Sequence, residues 1–181
     1  MTDAEYVASL EAEREQKDRY FRESPQSPLP RDVRRDFDGL PYYPPDPDYR
    51  FELSLVEFEE RDEITVETTR DGEQTYLRWG QFRFEIGGGQ YTLTAFKSEA
   101  DDERLWVPFK DATNGDTTYP AGRYLDLEPD DHLDDAWVLD FNRAYSPFCA
   151  HSEAYECPLV PFENRLDCRI EAGEQYEDDP R

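Results

Sequence analysis

The densest group of polar side chains that could do chemistry lies late in the chain, in the run DFNRAY at 140–145. In a strand end, Asp140 and Asn142 project to one face, and Tyr145 projects to the other. Arg123 and Tyr124 fall on a neighbouring predicted strand, and a buried guanidinium needs a carboxylate, for which we expect Asp140. Two interpretations stay open: a ligand site, in which the arginine favours an anionic or carboxylate-bearing molecule, and a structural ion pair that pins the late strands.

The chain has a single set of soft metal ligands, which are spaced C-x-H-x5-C-x10-C: Cys149, His151, Cys157 and Cys168. Common zinc sites pair their ligands two to four residues apart, so the spacing favours small buried residues with an incidental histidine, and no metal or cofactor is favoured. A Cys149–His151 nucleophile pair is less favoured still, because neighbours on one strand rarely reach the geometry of thiolate activation. A labile Cys149–Cys157 bridge is conceivable, although a reducing compartment disfavours it.

The chain has few histidines that could act as a general acid or base. The chain contains only two histidines, so carboxylates and tyrosines are the candidates for proton transfer. If the protein is an enzyme, the sequence favours a carboxylate- or metal-dependent hydrolase, but it identifies no catalytic residue.

The elements that must position these residues begin with a helix predicted over residues 3–22. Thr2 and Glu5 have the spacing of a capping box at its start. Residues 24–50 hold half of the 14 prolines, which remove backbone donors and fix φ, and interleaved aromatic residues predict a strap lying on the core.

Apolar residues alternate with polar ones over residues 51–142, which predicts about eight or nine short strands. Gly87–Gly89 is interpreted as a hairpin turn, and Asn114–Gly115 is a signal for a type I′ hairpin. The connections are too short for crossover helices, so we expect a mainly β fold, an antiparallel barrel or strongly bent sandwich. Residues 143–181 are predicted to be irregular, within a single domain spanning 1–181.

The charge balance is strongly acidic: 44 Asp and Glu stand against 20 Lys and Arg, giving a net charge of −24. Nucleic-acid binding is disfavoured because it needs a basic face, and no stretch is apolar enough for a membrane span. The first twenty residues lack the apolar core of a signal peptide, so we expect a cytoplasmic protein. We favour a high-salt cytoplasm, where repulsion is screened, over an acidic mesophilic protein or a partner-binding acidic face.

Three later motifs carry a family resemblance: DATNGDTTYPAGRYL at 111–125, DFNRAYSPFCA at 140–150 and CPLVPFENRL at 157–166. With the IEAGE run at 170–174, they resemble an uncharacterised family of domains of unknown function from bacteria and salt-loving archaea, over residues 14–176. Ser146 and His151 depart from its pattern, which usually has Asn and an aromatic residue there. The matching positions are Asp111, Tyr119, Arg123, Asp140, Asn142, Tyr145, Cys149, Cys157, Asn164, Arg165 and Glu174.

The resemblance implies no activity, so three functions stay open. We expect a domain that binds a small, possibly anionic molecule near Arg123, Tyr124, Asp140, Asn142 and Tyr145, to which the family motif adds Asn164 and Arg165. The alternatives are the hydrolase and a protein-interaction scaffold that buries strand edges against a partner. The sequence does not indicate the oligomeric state.

Overall fold

The computed structural model of the chain describes residues 2–177. Its helix α1 spans Asp3–Glu23, and the predicted capping box is present: the Thr2 hydroxyl accepts from the Glu5 amide, and the Glu5 carboxylate accepts from the Thr2 amide. Tyr6, Leu10 and Phe21 are buried on one face of the helix. The predicted N-terminal helix is therefore confirmed.

The larger sheet has six antiparallel strands: β2 (Val56–Glu57), β3 (Glu63–Glu67), β4 (Glu73–Ile86), β5 (Gly89–Lys97), β6 (Leu105–Phe109) and β7 (Arg123–Leu127). The order is β2-β4-β5-β6-β7, and β3 pairs with the first half of β4. Strand β4 is one continuous strand of 14 residues, although a bulge between Arg78 and Gly80 shifts its register with β5.

The two predicted hairpin turns have different outcomes. Gly87 and Gly88 have φ values of 58° and 83° and connect β4 to β5, as a type I′ turn requires. At Asn114–Gly115 only the glycine has a positive φ, of 82°, so the predicted type I′ turn is wrong. There the backbone instead folds into a compact loop, in which the amides of residues 116, 117 and 118 all donate to the Thr113 carbonyl.

A second sheet pairs β1 (Arg50–Leu53) with β8 (Trp137–Asp140) in antiparallel register. One 3-10 turn, Phe141–Arg143, follows β8 directly. The Phe141 ring is fully buried and packs within about 6 Å of the rings of Phe51, Phe84 and Phe109, so the core links both sheets.

The predicted mainly β class is confirmed, with two antiparallel sheets and eight strands among residues 2–177. No strand pairing within those residues joins β2 or β3 to β7, so no closed barrel is found. The remaining regular segments are short: α2 (Arg31–Arg34) and the 3-10 turns Pro47–Tyr49, Pro129–Asp131, Phe148–Ala150 and Phe162–Asn164.

The proline-rich segment lies between α1 and residues 173–175. The Leu40 amide donates to the Asp18 carboxylate of α1. The Tyr43 amide donates to the Gly173 carbonyl, and an antiparallel bridge joins Tyr42 to Glu174. The strap therefore contacts both α1 and the C-terminal segment.

Helix α1 has the length of a membrane span but carries charged side chains throughout its sequence. Among residues 2–177, no helix combines the length and the apolar character needed to cross a bilayer.

Candidate functional site

Arg123 is fully buried and ties the C-terminal segment to the larger sheet. Its guanidinium donates to the carbonyls of Ala172 (2.5 Å), Glu174 (3.2 Å) and Ile170 (3.0 Å). Its carboxylate partner is Asp111, at 3.5 Å between Nη2 and Oδ1, and not Asp140 as the sequence led us to expect. Burial lowers the pKa of Arg123, and the Asp111 charge opposes that shift. The Arg123 guanidinium is thus occupied by partners within the fold, namely Asp111 and three C-terminal carbonyls.

Asp140 caps the turn that follows β8. Its carboxylate accepts from the Tyr6 hydroxyl at 2.5 Å, from the Asn142 amide and from Asn142 Nδ2. The Asn142 side chain also exchanges hydrogen bonds with the backbone of Asp46. Both candidates therefore hold α1 and the strap against β8.

Three further candidates also make contacts within the fold. Asn164 is fully buried; its amide group bridges the backbone of Thr94 on β5 and Pro108 on β6. The Tyr124 hydroxyl donates to the Pro158 carbonyl. Arg165 is exposed, with its guanidinium 5.1 Å from the centroid of the Phe162 ring.

Two of the predicted residues, Asn142 and Tyr145, do line a cavity. It measures about 240 Å³ and lies between one face of α1 and the segment that follows β8; we name it the α1 cleft. The face of α1 contributes residues spaced three and four apart, so they fall on one side of the helix. The lining residues are Leu10, Glu13, Arg14, Lys17, Tyr42, Asp126, Asn142, Arg143, Ala144, Tyr145 and Glu174.

Charged groups converge on this cleft. Lys17 forms an ion pair with Glu174, whose side chain is only 1% exposed, and its Nζ lies 4.9 Å from the centroid of the Tyr145 ring. The Tyr145 hydroxyl donates to the Asp126 carboxylate at 2.5 Å. Asp126 is exposed at the rim, yet desolvation by the surrounding protein raises the pKa of its carboxyl, while the Tyr145 hydrogen bond opposes the shift.

Two donor atoms on the cleft wall make no hydrogen bond to any residue that the structure describes. Arg14 donates through its Nη atoms to the carbonyls of Tyr43 (2.9 Å) and Asn142 (3.2 Å), and its guanidinium lies 4.3 Å from the centroid of the Tyr42 ring. The buried Nε of Arg14 and the buried hydroxyl of Tyr42 make no hydrogen bond within residues 2–177. Desolvation lowers the pKa of Arg14 and raises that of Tyr42.

A family model described as a protein of unknown function (DUF1684) matches residues 35–175. The chain belongs to the DUF1684 family. Its sequence is 44% identical to an uncharacterised protein of Haloarcula marismortui with a solution NMR structure, over 95% of each chain and with a TM-score of 0.73. No curated protein matches the chain. The resemblance to an uncharacterised family is therefore confirmed at the level of the family.

The cysteine and histidine set does not assemble in this DUF1684 domain. Cys149 and Cys157 are adjacent, because the Cys149 amide donates to Cys157 Sγ at 3.3 Å. Cys168 instead lies beside Tyr91 of β5. The His151 ring packs edge-on against Phe21, and burial lowers its pKa to about 4. Across residues 2–177, no three His, Cys, Asp or Glu side chains converge so that they could hold a metal ion.

Sequence reasoning missed most of the cleft. Arg14 and Lys17 follow Leu10 at helical spacing, and Lys17 is one of only three lysines in the chain. Their shared helix face and the scarcity of lysine are the two sequence signals that indicate these residues. Glu174 is indicated in the sequence only as one of the positions that carry the family resemblance. Nothing local to Tyr42 or Asp126 indicates that they approach α1.

Proposed function

We propose that this DUF1684 domain binds a small anionic molecule in the α1 cleft. Arg14 carries the proposal: its half-buried guanidinium makes no ion pair within residues 2–177, and its Nε has no hydrogen-bond partner there. A buried donor left unpaired costs about 1–3 kcal/mol, and buried charges are normally paired. A bound carboxylate or phosphate would supply the missing acceptor and the missing charge.

The rest of the cleft fits the same ligand class. Lys17 already neutralises Glu174, so the Glu174 carboxylate does not cancel the charge of Arg14. The Tyr42 hydroxyl is a second donor without a partner in residues 2–177. The volume of about 240 Å³ corresponds to about eight water molecules at ~30 Å³ each. This supports a ligand the size of a small organic acid.

The experiment is a thermal unfolding series with acetate, succinate, citrate and inorganic phosphate at constant molar KCl. A ligand present at a hundred times its Kd stabilises by about 2.7 kcal/mol, which is a rise in Tm of about 5–10 °C for a chain of this size. Arg14→Gln should abolish the rise. The matched control is Arg169→Gln, because Arg169 is an exposed arginine that pairs with Asp116 outside the cleft.

A second variant separates binding from folding. Tyr42→Phe removes a hydroxyl that makes no hydrogen bond within residues 2–177, so the Tm of the ligand-free protein should stay within about 1 °C of the wild type. The rise caused by the anion should shrink. If no anion raises the Tm, or if Arg14→Gln and Arg169→Gln respond alike, the proposal is wrong.

Asp126 favours a second candidate, a carboxylate-dependent hydrolase. A carboxyl whose pKa is raised in a cleft is a candidate general acid. Assays with chromogenic carboxylate and phosphate esters test this candidate: activity should disappear in Asp126→Asn and persist in Asp116→Asn, which changes an exposed carboxylate elsewhere. Equal rates in the two variants would exclude this role for Asp126.

We also infer that the domain works in a high-salt cytoplasm. The net charge of −24 repels itself in dilute buffer, whereas the Debye length at molar salt is only about 3 Å. The similarity to a protein from a halophilic archaeon supports this setting.

A further inference from the structure

Two of the three cysteines meet outside the α1 cleft. Cys149 lies in the 3-10 turn Phe148–Ala150, and Cys157 lies on the segment that returns beside the β3–β4 turn. The Cys149 amide donates to Cys157 Sγ at 3.3 Å, and the neighbouring Cys157 thiol is the largest cause of a lowered pKa at Cys149. Thr69 fixes Cys157 from the other side, through hydrogen bonds with its amide and its carbonyl.

The Cys149 sulfur is surrounded by donors. They are the Cys157 thiol, the Tyr119 hydroxyl at 3.7 Å and the Thr69 hydroxyl. Together these hydrogen bonds lower the pKa of Cys149 to about 6, against the opposing effect of burial. The hydrogen bond with Cys149 and burial both raise the pKa of Cys157. One sulfur is therefore prepared as a thiolate, and its neighbour stays a thiol.

Exposure alone does not distinguish Cys149 from the third cysteine. Cys149 and Cys168 are both half-buried, whereas Cys157 is buried. Burial raises the pKa of Cys168, so it is less acidic than an ordinary thiol. Oxidation-sensitive cysteines combine thiolate character, solvent access and a neighbouring resolving thiol. Only the Cys149–Cys157 pair combines all three among the cysteines.

We propose that Cys149 and Cys157 form a peroxide-oxidised thiol pair that closes reversibly into a disulfide. The Cys149 thiolate attacks one oxygen of a hydroperoxide, the O–O bond breaks, and Cys149 becomes a sulfenic acid while hydroxide or alkoxide leaves. The Cys157 sulfur then attacks the Cys149 sulfur, and the sulfenic oxygen leaves with the Cys157 proton as water. Peroxide is reduced by two electrons, both of which come from the two thiols, and a dithiol reductant restores the pair.

The first measurement is the reactivity of the reduced full chain toward iodoacetamide at about pH 6 in molar KCl. About half of Cys149 is then thiolate, against about one part in a thousand for a thiol at the ordinary value of 9.0. The weaker nucleophilicity of a less basic thiolate removes roughly 20-fold of this ~500-fold difference. Cys149 should therefore alkylate at least about 20-fold faster than Cys168, as followed by peptide mass spectrometry.

The second measurement adds one equivalent of hydrogen peroxide and maps the products. The wild type and the matched control Cys168→Ser should both lose two thiols and give a Cys149–Cys157 peptide link. Cys157→Ser should leave Cys149 as a sulfenic acid that dimedone traps, and Cys149→Ser should give neither product.

Three results would overturn the proposal. They are alkylation of Cys149 and Cys168 at similar rates, oxidation of the wild type that stops at sulfinic acid on Cys149 without a disulfide, and equal peroxide sensitivity of Cys149→Ser and Cys168→Ser. The first and second use the wild type, so they do not depend on a variant that folds. Binding of anions in the α1 cleft bears on none of these outcomes.

Discussion

Replacing Arg123 with Met is the sharpest test of how the C-terminal segment is held. The change removes a fully buried guanidinium, its three hydrogen bonds to carbonyls between Ile170 and Glu174, and the charge that faces Asp111. The Asp111 side chain is also fully buried, so its carboxylate is left as an uncompensated charge. Breaking a buried pair from one side costs about 3–5 kcal/mol. For a chain of this length, the expected fall in Tm is about 6–20 °C.

Thermal unfolding in molar KCl, followed by circular dichroism, measures this fall. The control is Arg169→Met, which removes an exposed arginine paired with Asp116 and should lower the Tm far less than Arg123→Met, because solvent screens surface ion pairs. Adding Asp111→Asn to Arg123→Met should recover part of the loss, because the remaining partner is then uncharged. If Arg123→Met and Arg169→Met lower the Tm equally, Arg123 is not the anchor that we describe.

Three further predictions test other parts of the fold. Burial holds the pKa of His151 at about 4, against 6.5 in the unfolded chain. The unfolded state therefore binds the extra proton, and the free energy of unfolding falls by about 3 kcal/mol as the pH drops from about 6.5 to 4. His151→Phe, which keeps a ring against Phe21, should lose this pH dependence, as measured by urea titrations at each pH. Asn164→Ala leaves the backbone groups of Thr94 and Pro108 unpaired inside the protein and should lower stability by about 2–5 kcal/mol, with no loss contradicting the bridging role. Lowering KCl from molar to millimolar should lower the Tm, and a flat or rising Tm would count against adaptation to salt.

The sequence predicts best those structural features that depend on a few neighbouring residues. The capping box of Thr2 and Glu5 and the Gly87–Gly88 turn each depend on a few adjacent positions, and both are present. Alternation of apolar residues also predicts the strands, whereas the bulge after Arg78 within the continuous strand β4 has no signal in that alternation. Asn114–Gly115 was misleading because hydrogen bonds to the Thr113 carbonyl favour a compact loop.

The candidate site was harder to predict because its residues come from distant segments. Arg123 and Asp140 lie near each other in the predicted sheet, yet Arg123 pairs with Asp111 because that loop folds back over the C-terminal carbonyls. The α1 cleft joins the helix, the strap, β7 and the chain after β8. No periodicity within one element encodes such a meeting, so only Asn142 and Tyr145 were anticipated among its lining residues.

Buried polar anchors explain how a chain that is only 36% hydrophobic orders a long C-terminal segment that forms no strand between residues 141 and 177. Arg123 binds three carbonyls of that segment, Asn164 inserts between β5 and β6, and Glu174 accepts from the Ser146 amide while it pairs with Lys17. Each anchor is almost fully removed from solvent, so salt screens it far less than it screens an exposed pair. Surface ion pairs lose most of their small contribution at molar salt. The internal polar contacts are therefore the electrostatic interactions that would keep their strength at molar salt, and they hold in place the α1 cleft and the C-terminal segment between Ile170 and Glu174.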